Sequence, residues 1–334
     1  MSVKILELKG STGEIGCQHG EALRDEIKLC LEIYQEVIGT PFSKLGARAE
    51  AFRGVVGTNT PNLLAELDGI ARGADVAAAD IMLLNARSEL MSVADGCTAV
   101  YQPKISALAQ TWDWMEALED LFVVLKIEQQ DGHQIATVSE PGILAKIGVN
   151  SAGLGCTLNF LYSPGEHTGT PVHFLLRSVL DTSDMGSALN CIETRVPGQT
   201  GNIMIGTDQG VGTNIELAGM ACSMHPLAEK PFVHTNHHLT KDISAGDLTE
   251  NSHARYRVAQ AKAADSNLSI EKIESILSDT SNVEHPICST YQPKLGTQIG
   301  TVCTVIMDLD NRSLKVRKGP NPQAPFAVQV ALDG

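Results

Sequence analysis

Apolar and polar residues roughly alternate over positions 3–9, which predicts a strand, and then the period changes. From about Gly20 to Ile38, Leu23, Ile27, Leu31 and Tyr34 fall on one helical face. Further helices are expected near 45–55, from Pro61 to Gly73 and from Ala79 to Leu90. The second opens on Thr60-Pro61-Asn62, a capping residue followed by proline in the first turn, where a missing N–H costs nothing. The first 94 or so residues therefore read as mostly helix.

From Cys97 the texture changes. Short apolar runs rich in β-branched residues recur at 97–102, 107–112, 121–128, 134–139, 142–149 and 153–161. Gln130-Asp131-Gly132 and Asn150-Ser151-Ala152-Gly153 read as the hairpin turns between them. A helix is expected over 171–195, where Val172, Leu175, Leu176, Val179 and Leu180 form a stripe. Strands are expected at 202–208, 213–218 and 220–224, and helices near 251–263 and 269–279. Thr301–Asp308 and Ser313–Arg317 form a last hairpin around Asp310-Asn311. Strands grouped between helical layers indicate an α+β fold with stacked sheets, not alternating βαβ units.

Hydrophobic residues at 43% against 19% charged ones describe a globular chain, here of 334 residues with no linker or repeat, and so one domain. A net charge of −14 opposes nucleic acid or an anionic membrane as partner. No stretch approaches the ~20 apolar residues needed to span a bilayer, and Met1–Gly10 lacks a secretory core, so a cytoplasmic protein is expected. The eight cysteines contain no Cys-x-x-Cys pair, so neither a zinc site nor a disulfide framework is expected.

The sharpest change in composition falls between Gly96 and Cys97, inside continuous sequence. Glycine carries no Cβ to obstruct attack on its carbonyl, and a cut there would leave a cysteine with thiol and α-amine on one residue, a nucleophile and its base together. The plain alternative is a small buried apolar residue. Asp95 reads as a solvated turn residue, although it could position the water of the cut. His234, His237 and His238 invite a metal, but no further ligand has convincing spacing. Val149–Gly153 lacks the first glycine of a serine-hydrolase elbow, Gly210-Val-Gly212 lacks a dinucleotide fingerprint, and Asn267-Leu-Ser269 only fits a glycosylation pattern.

Several motifs in order resemble the penicillin acyltransferase-like branch of the N-terminal nucleophile hydrolases. They are Gly13-Glu-Ile-Gly16-Cys-Gln-His-Gly20, Glu66–Gly73, Asn85–Glu89, Gly96-Cys97-Thr98 and Gln110-Thr-Trp112-Asp113. Gly148–Gly153, Thr235-Asn236-His237, Ser252-His-Ala-Arg255 and Thr301–Asp308 continue the series. The resemblance implies a four-layer αββα sandwich and self-cleavage between Gly96 and Cys97. A helical chain of residues 1–96 would stay associated with a catalytic chain of residues 97–334.

By the same resemblance Cys97 is the nucleophile, Asp113 orients its new ammonium and Asn236 donates amide hydrogens to an oxyanion. Asn150, Ser252, Arg255 and Thr301 are candidates for oxyanion or substrate contacts. Asn150 reads equally as a turn residue, and Arg255 as an internal salt link. The expected activity is hydrolysis of a small amide or N-acyl compound. Acyl transfer to an amine is the alternative, with acyl-coenzyme A entering only as a substrate and no cofactor or metal needed. A third reading is an uncut, non-catalytic ligand-binding or assembly protein. Homo-oligomerisation stays open.

Overall fold

The computed structural model describes residues 3–91, 96–240, 250–265, 268–294 and 296–333. Strand β1 (Lys4–Gly10) leads into helices α1 (Thr12–Ala22), α2 (Arg24–Ile38), α3 (Gly46–Asn59), α4 (Pro61–Ala74), α5 (Ala78–Asn85) and α6 (Arg87–Leu90). Six strands follow: β2 (Cys97–Gln102), β3 (Ala107–Met115), β4 (Val123–Gln129), β5 (Gln134–Ser139), β6 (Ile147–Asn150) and β7 (Leu154–Asn159). Helices α7 (Val172–Leu180) and α8 (Met185–Glu193) precede β8 (Gln199–Thr207), β9 (Gly212–Gly219), β10 (Ala221–Leu227) and β11 (Phe232–His234). The described chain closes with α9 (Glu250–Ala263), α10 (Ile270–Leu277), β12 (Gln292–Lys294), β13 (Thr297–Asp308), β14 (Ser313–Lys318) and β15 (Val328–Ala331).

The strands form two sheets. One has the order β1-β4-β5-β6-β7-β8-β9-β10, in which only the β1–β4 pair is parallel. The other runs β11-β2-β3-β13-β14-β15, with β12 added beside β13. β2 and β3 pack on β7, and β14 packs on β5 and β6, so the sheets lie face to face. Helix α7 covers the outside of the first sheet and α9 and α10 cover the second. The result is the expected αββα sandwich. Its main apolar core runs from Val3 to Leu332 between the sheets and under the N-terminal helices. A smaller one, including Val100, Ala109, Ala259 and Ile276, lies under α9 and α10.

Three local differences from the sequence reading have physical causes. The first helix starts at Thr12 because Ser11 and Glu14 form a reciprocal capping box, which outweighs the poor helix propensity of Gly13 and Gly16. The stretch 171–195 is two helices, because Asp184 caps a new one by accepting from the Ser187 N–H at 2.9 Å. The run 142–149 is strand only from Ile147. Before it, Gly142 at φ +84° turns the chain inward, with its N–H on His19 and its carbonyl on Asn85.

Close approach of α1 and α4 holds the N-terminal helices together. A Cβ on Gly16 would lie 2.0 Å from the Glu66 carbonyl oxygen, and one on Gly73 2.3 Å from that of Cys17. Both obstacles are backbone, so neither can yield as a side chain would. Gly16→Ala should therefore destabilise the protein by about 3 kcal/mol or more, at the upper end of overpacking penalties, as read by urea unfolding.

Candidate active site

Cys97 is the first residue of β2, one strand in from the edge of the second sheet. It pairs with Trp112 of β3, and directly opposed residues share a face. The thiol and the indole therefore both face the first sheet. One residue on, Asp113 points to the other face, where it is opposite Thr301 of β13. The extra residue Val302 makes a bulge between Thr301 and Cys303, a common device for re-aiming a side chain beside a reactive centre.

The Thr301 hydroxyl donates to Asp113 Oδ1 at 2.7 Å and accepts from the Ser289 N–H at 2.8 Å. The Asp113 N–H donates to the Gly96 carbonyl at 2.9 Å, continuing the ladder past the start of β2. A Cβ on Gly96 would meet Asp113 Oδ2 at 2.8 Å, so glycine lets the carboxyl lie against the peptide before Cys97. Burial pushes the Asp113 carboxyl from its ordinary 3.8 up to about 7, against the pull of Arg255, Thr301 and Lys294.

On the other side of β2, β11 brings Asn236 alongside. The N–H of residue 97 donates to Asn236 Oδ1 at 2.7 Å, and the Asn236 Nδ2 donates to the Phe160 carbonyl at 3.0 Å. The carboxamide oxygen thus faces residue 97, and the amide nitrogen points away from it with one hydrogen beyond the one given to Phe160. Two donors converge on that oxygen, because Arg255 Nη2 also reaches Oδ1 at 2.9 Å.

Ser252, in the first turn of α9, fixes the Asn236 backbone by accepting its N–H at 2.8 Å. Arg255 follows one turn later. It is buried and also donates to the Cys97 carbonyl at 2.8 Å, the Thr98 hydroxyl at 3.0 Å and Asn251 Oδ1 at 2.7 Å. These bonds make Arg255 a brace for β2, and its charge also acts on the nearby Asp113 carboxyl.

Asn150 stands elsewhere. Its amide donates to the carbonyls of Leu180 and Thr182, and its oxygen accepts from the N–H groups of Ala152 and Leu154, so it ties the β6–β7 turn to the end of α7. His234 is held between Glu216 and the Thr235 carbonyl, and no metal-holding cluster occurs among the described residues. Asp95 and Asn267 lie outside the described residues.

The peptide between Gly96 and Cys97 lies between two cavities. Cys97, Trp112, Trp114, Lys146, Leu158 and Phe160 border one of about 50 Å³. Gly96, Asp113, Asn251, Glu284, Ser289 and Lys294 border another of about 180 Å³. Two residues here escaped the sequence reading. Asn159 donates to the Cys97 carbonyl at 3.1 Å, and nothing distinguishes it in sequence from an ordinary strand-end asparagine. Lys146 interrupts the apolar run 142–149, and a lysine there was a visible signal. It is buried with its Nζ 3.2 Å from the centroid of the Trp112 ring.

The acyl-coenzyme A:6-aminopenicillanic acid acyl-transferase family model matches residues 100–323, a span that begins just after Cys97 and includes Asp113, Asn236, Arg255 and Thr301. The chain is 29% identical to the 40 kDa form of acyl-coenzyme A:6-aminopenicillanic-acid-acyltransferase of Emericella nidulans, over 96% of this chain and 94% of that protein. Among solved structures, an N-acylethanolamine-hydrolyzing acid amidase ortholog of Caenorhabditis elegans aligns with TM-score 0.47 and 15% identity, covering 64% of this chain and 93% of that one. Penicillin V acylase of Agrobacterium tumefaciens aligns with the same score and identity, over 66% and 82%.

A carboxyl that binds its proton more tightly when folded adds stability that is complete below pH 4 and lost as pH rises through about 7. In the uncut Cys97→Ala chain, the Asp113 contribution should therefore be lost from pH 4 to 7, and adding Asp113→Asn should remove that downward term from the slope. Urea unfolding across this range measures both; identical slopes would contradict the buried, protonated carboxyl.

Proposed function

The chain belongs to the acyl-coenzyme A:6-aminopenicillanic acid acyl-transferase family, enzymes that act on amide bonds through an N-terminal nucleophile, and from that premise we propose that it cuts itself before Cys97 and then hydrolyses a small amide. One observation carries the reading. The nitrogen of residue 97 is already addressed by Asn236 Oδ1, while the Asp113 carboxyl lies against the glycine that would depart. The pair forms a seat for an α-ammonium that does not yet exist.

In the first step the Cys97 sulfur attacks the Gly96 carbonyl and the C–N bond breaks, leaving a thioester and a free amine. Water then opens the thioester, giving a Gly96 carboxylate and a Cys97 bearing both thiol and α-amine. An α-amine ordinarily titrates near 7.7–8.0, so it can take the thiol proton at working pH. The thiolate attacks a substrate amide, the α-ammonium protonates the leaving amine, and water releases the acid from the acyl-enzyme.

The other residues position these two. Thr301 aims Asp113, which the new ammonium would draw back to its ionised form. Ser252 and Arg255 fix Asn236, whose Nδ2 has a second hydrogen beyond the one given to Phe160, a donor for the developing oxyanion. No cofactor takes part.

The relative from Emericella nidulans, an acyltransferase by name, favours a second reading in which an amine rather than water takes the acyl group. Supplying an amine acceptor and comparing amide product with free acid separates the two.

The cut is tested by intact mass. Wild type should give two fragments meeting between residues 96 and 97, and Cys97→Ala one whole chain; a wild type that stays whole points to a non-catalytic binding protein. In processed enzyme, Asn236→Ala should lower kcat by about 10²–10³-fold, the usual cost of losing an oxyanion donor.

A further inference from the structure

Among the described residues, the wall of the Cys97 cavity holds more positive charge than negative. Glu140 is fully buried and receives the Lys146 ammonium at 3.2 Å, the Arg87 guanidinium and the Tyr34 hydroxyl. Arg87 also meets His173. Against the effect of burial, Arg87 and Lys146 hold Glu140 below the usual carboxylate range. Burial keeps Tyr34 and His173 neutral and pushes the Glu89 carboxyl up to about 8. The thiols of Cys30 and Cys303 are raised far above their ordinary value, again by burial. Asp113 borders the other cavity. Among the described residues two cations thus face one carboxylate, and a surplus cation in a buried wall is costly unless something opposes it.

We propose that the Lys146 ammonium, fixed between Glu140 and the Trp112 ring, is the counter-charge that makes Cys97 a thiolate in the resting enzyme. The inference rests on the processing reading. The thiol proton passes to the α-amine of the same residue, so the proton count is unchanged and the ammonium stands ready for the leaving group. Geometry supports the pairing: Lys146 and Cys97 border one cavity, and Trp112, under the ammonium, is the cross-strand partner of Cys97. The coupling is also reciprocal. Burial brings Lys146 down to about 8, and a charged Cys97 sulfur pulls in the opposite direction, so a charged Lys146 favours the thiolate equally.

The test is the pH dependence of Cys97 alkylation by iodoacetamide, read by mass on the peptide that begins at Cys97 in processed enzyme. Wild type should show a midpoint at least about one unit below the ordinary thiol value near 8.5. Lys146→Met should move it up by about one unit or more, and Lys146→Arg should restore it, since arginine stays charged. A wild-type midpoint at or above about 8.5 overturns the proposal even if the methionine variant fails to fold. So does a folded methionine variant with an unmoved midpoint. A chain found whole by intact mass sinks the processing reading and this inference together; a cut chain with an ordinary midpoint sinks the inference alone.

Discussion

Slip β3 by one residue against β2 and every side chain on it changes face, so Trp112 would leave the Cys97 cavity and Asp113 would enter it. The site depends on that register. Because the strand repeat is two residues, the sulfur of Cys97 and the carboxyl of Asp113 occupy opposite faces of one sheet, with the nitrogen of residue 97 between them. No single pocket could present both in this way. The bulge at Val302 then aims Thr301 at Asp113, and Arg255 ties the carbonyl of Cys97, the hydroxyl of Thr98 and the oxygen of Asn236 to one guanidinium.

This arrangement explains why a polar cluster can exist in so dry a place. Arg255, Thr301 and Ser252 are almost fully buried, but their polar atoms have partners within hydrogen-bond reach. The Asp113 carboxyl is the member most strained by burial, and its partners Thr301 and Arg255 offset this only in part. A backbone cut that places an ammonium beside it would remove the largest uncompensated term in the cluster. Chemistry and stability then point in one direction.

Much of this was legible in the chain. The Gly96/Cys97 boundary stood out as a switch from helical to strand periodicity, and the pleat made Asp113 a plausible neighbour once a hairpin joined it to Cys97. What escaped was decided by tertiary packing. Nothing local separates Asn159 from other asparagines at strand ends, or Asn236 with its oxygen forward from Asn236 with its nitrogen forward. Two distant donors, the N–H of residue 97 and Arg255, settle that orientation. Lys146 was visible as an interruption of an apolar run. Its meaning depended on Glu140 and Arg87, which come from other elements. Helix α1 was obscured by its glycines, whose value lies in contact with α4 and not in propensity.

Residues on both sides of position 96 build the same wall. Tyr34 and Arg87 come from the N-terminal helices, Glu140 and Lys146 from beyond β5, and strand β1 is hydrogen-bonded along its length to β4. Once opened at 96–97, the molecule would be two chains by chemistry and one folded unit by physics. Pulling the pieces apart would bare a sheet edge and strand a buried charge, so the halves would melt together, and a truncated gene for either one would yield an insoluble product.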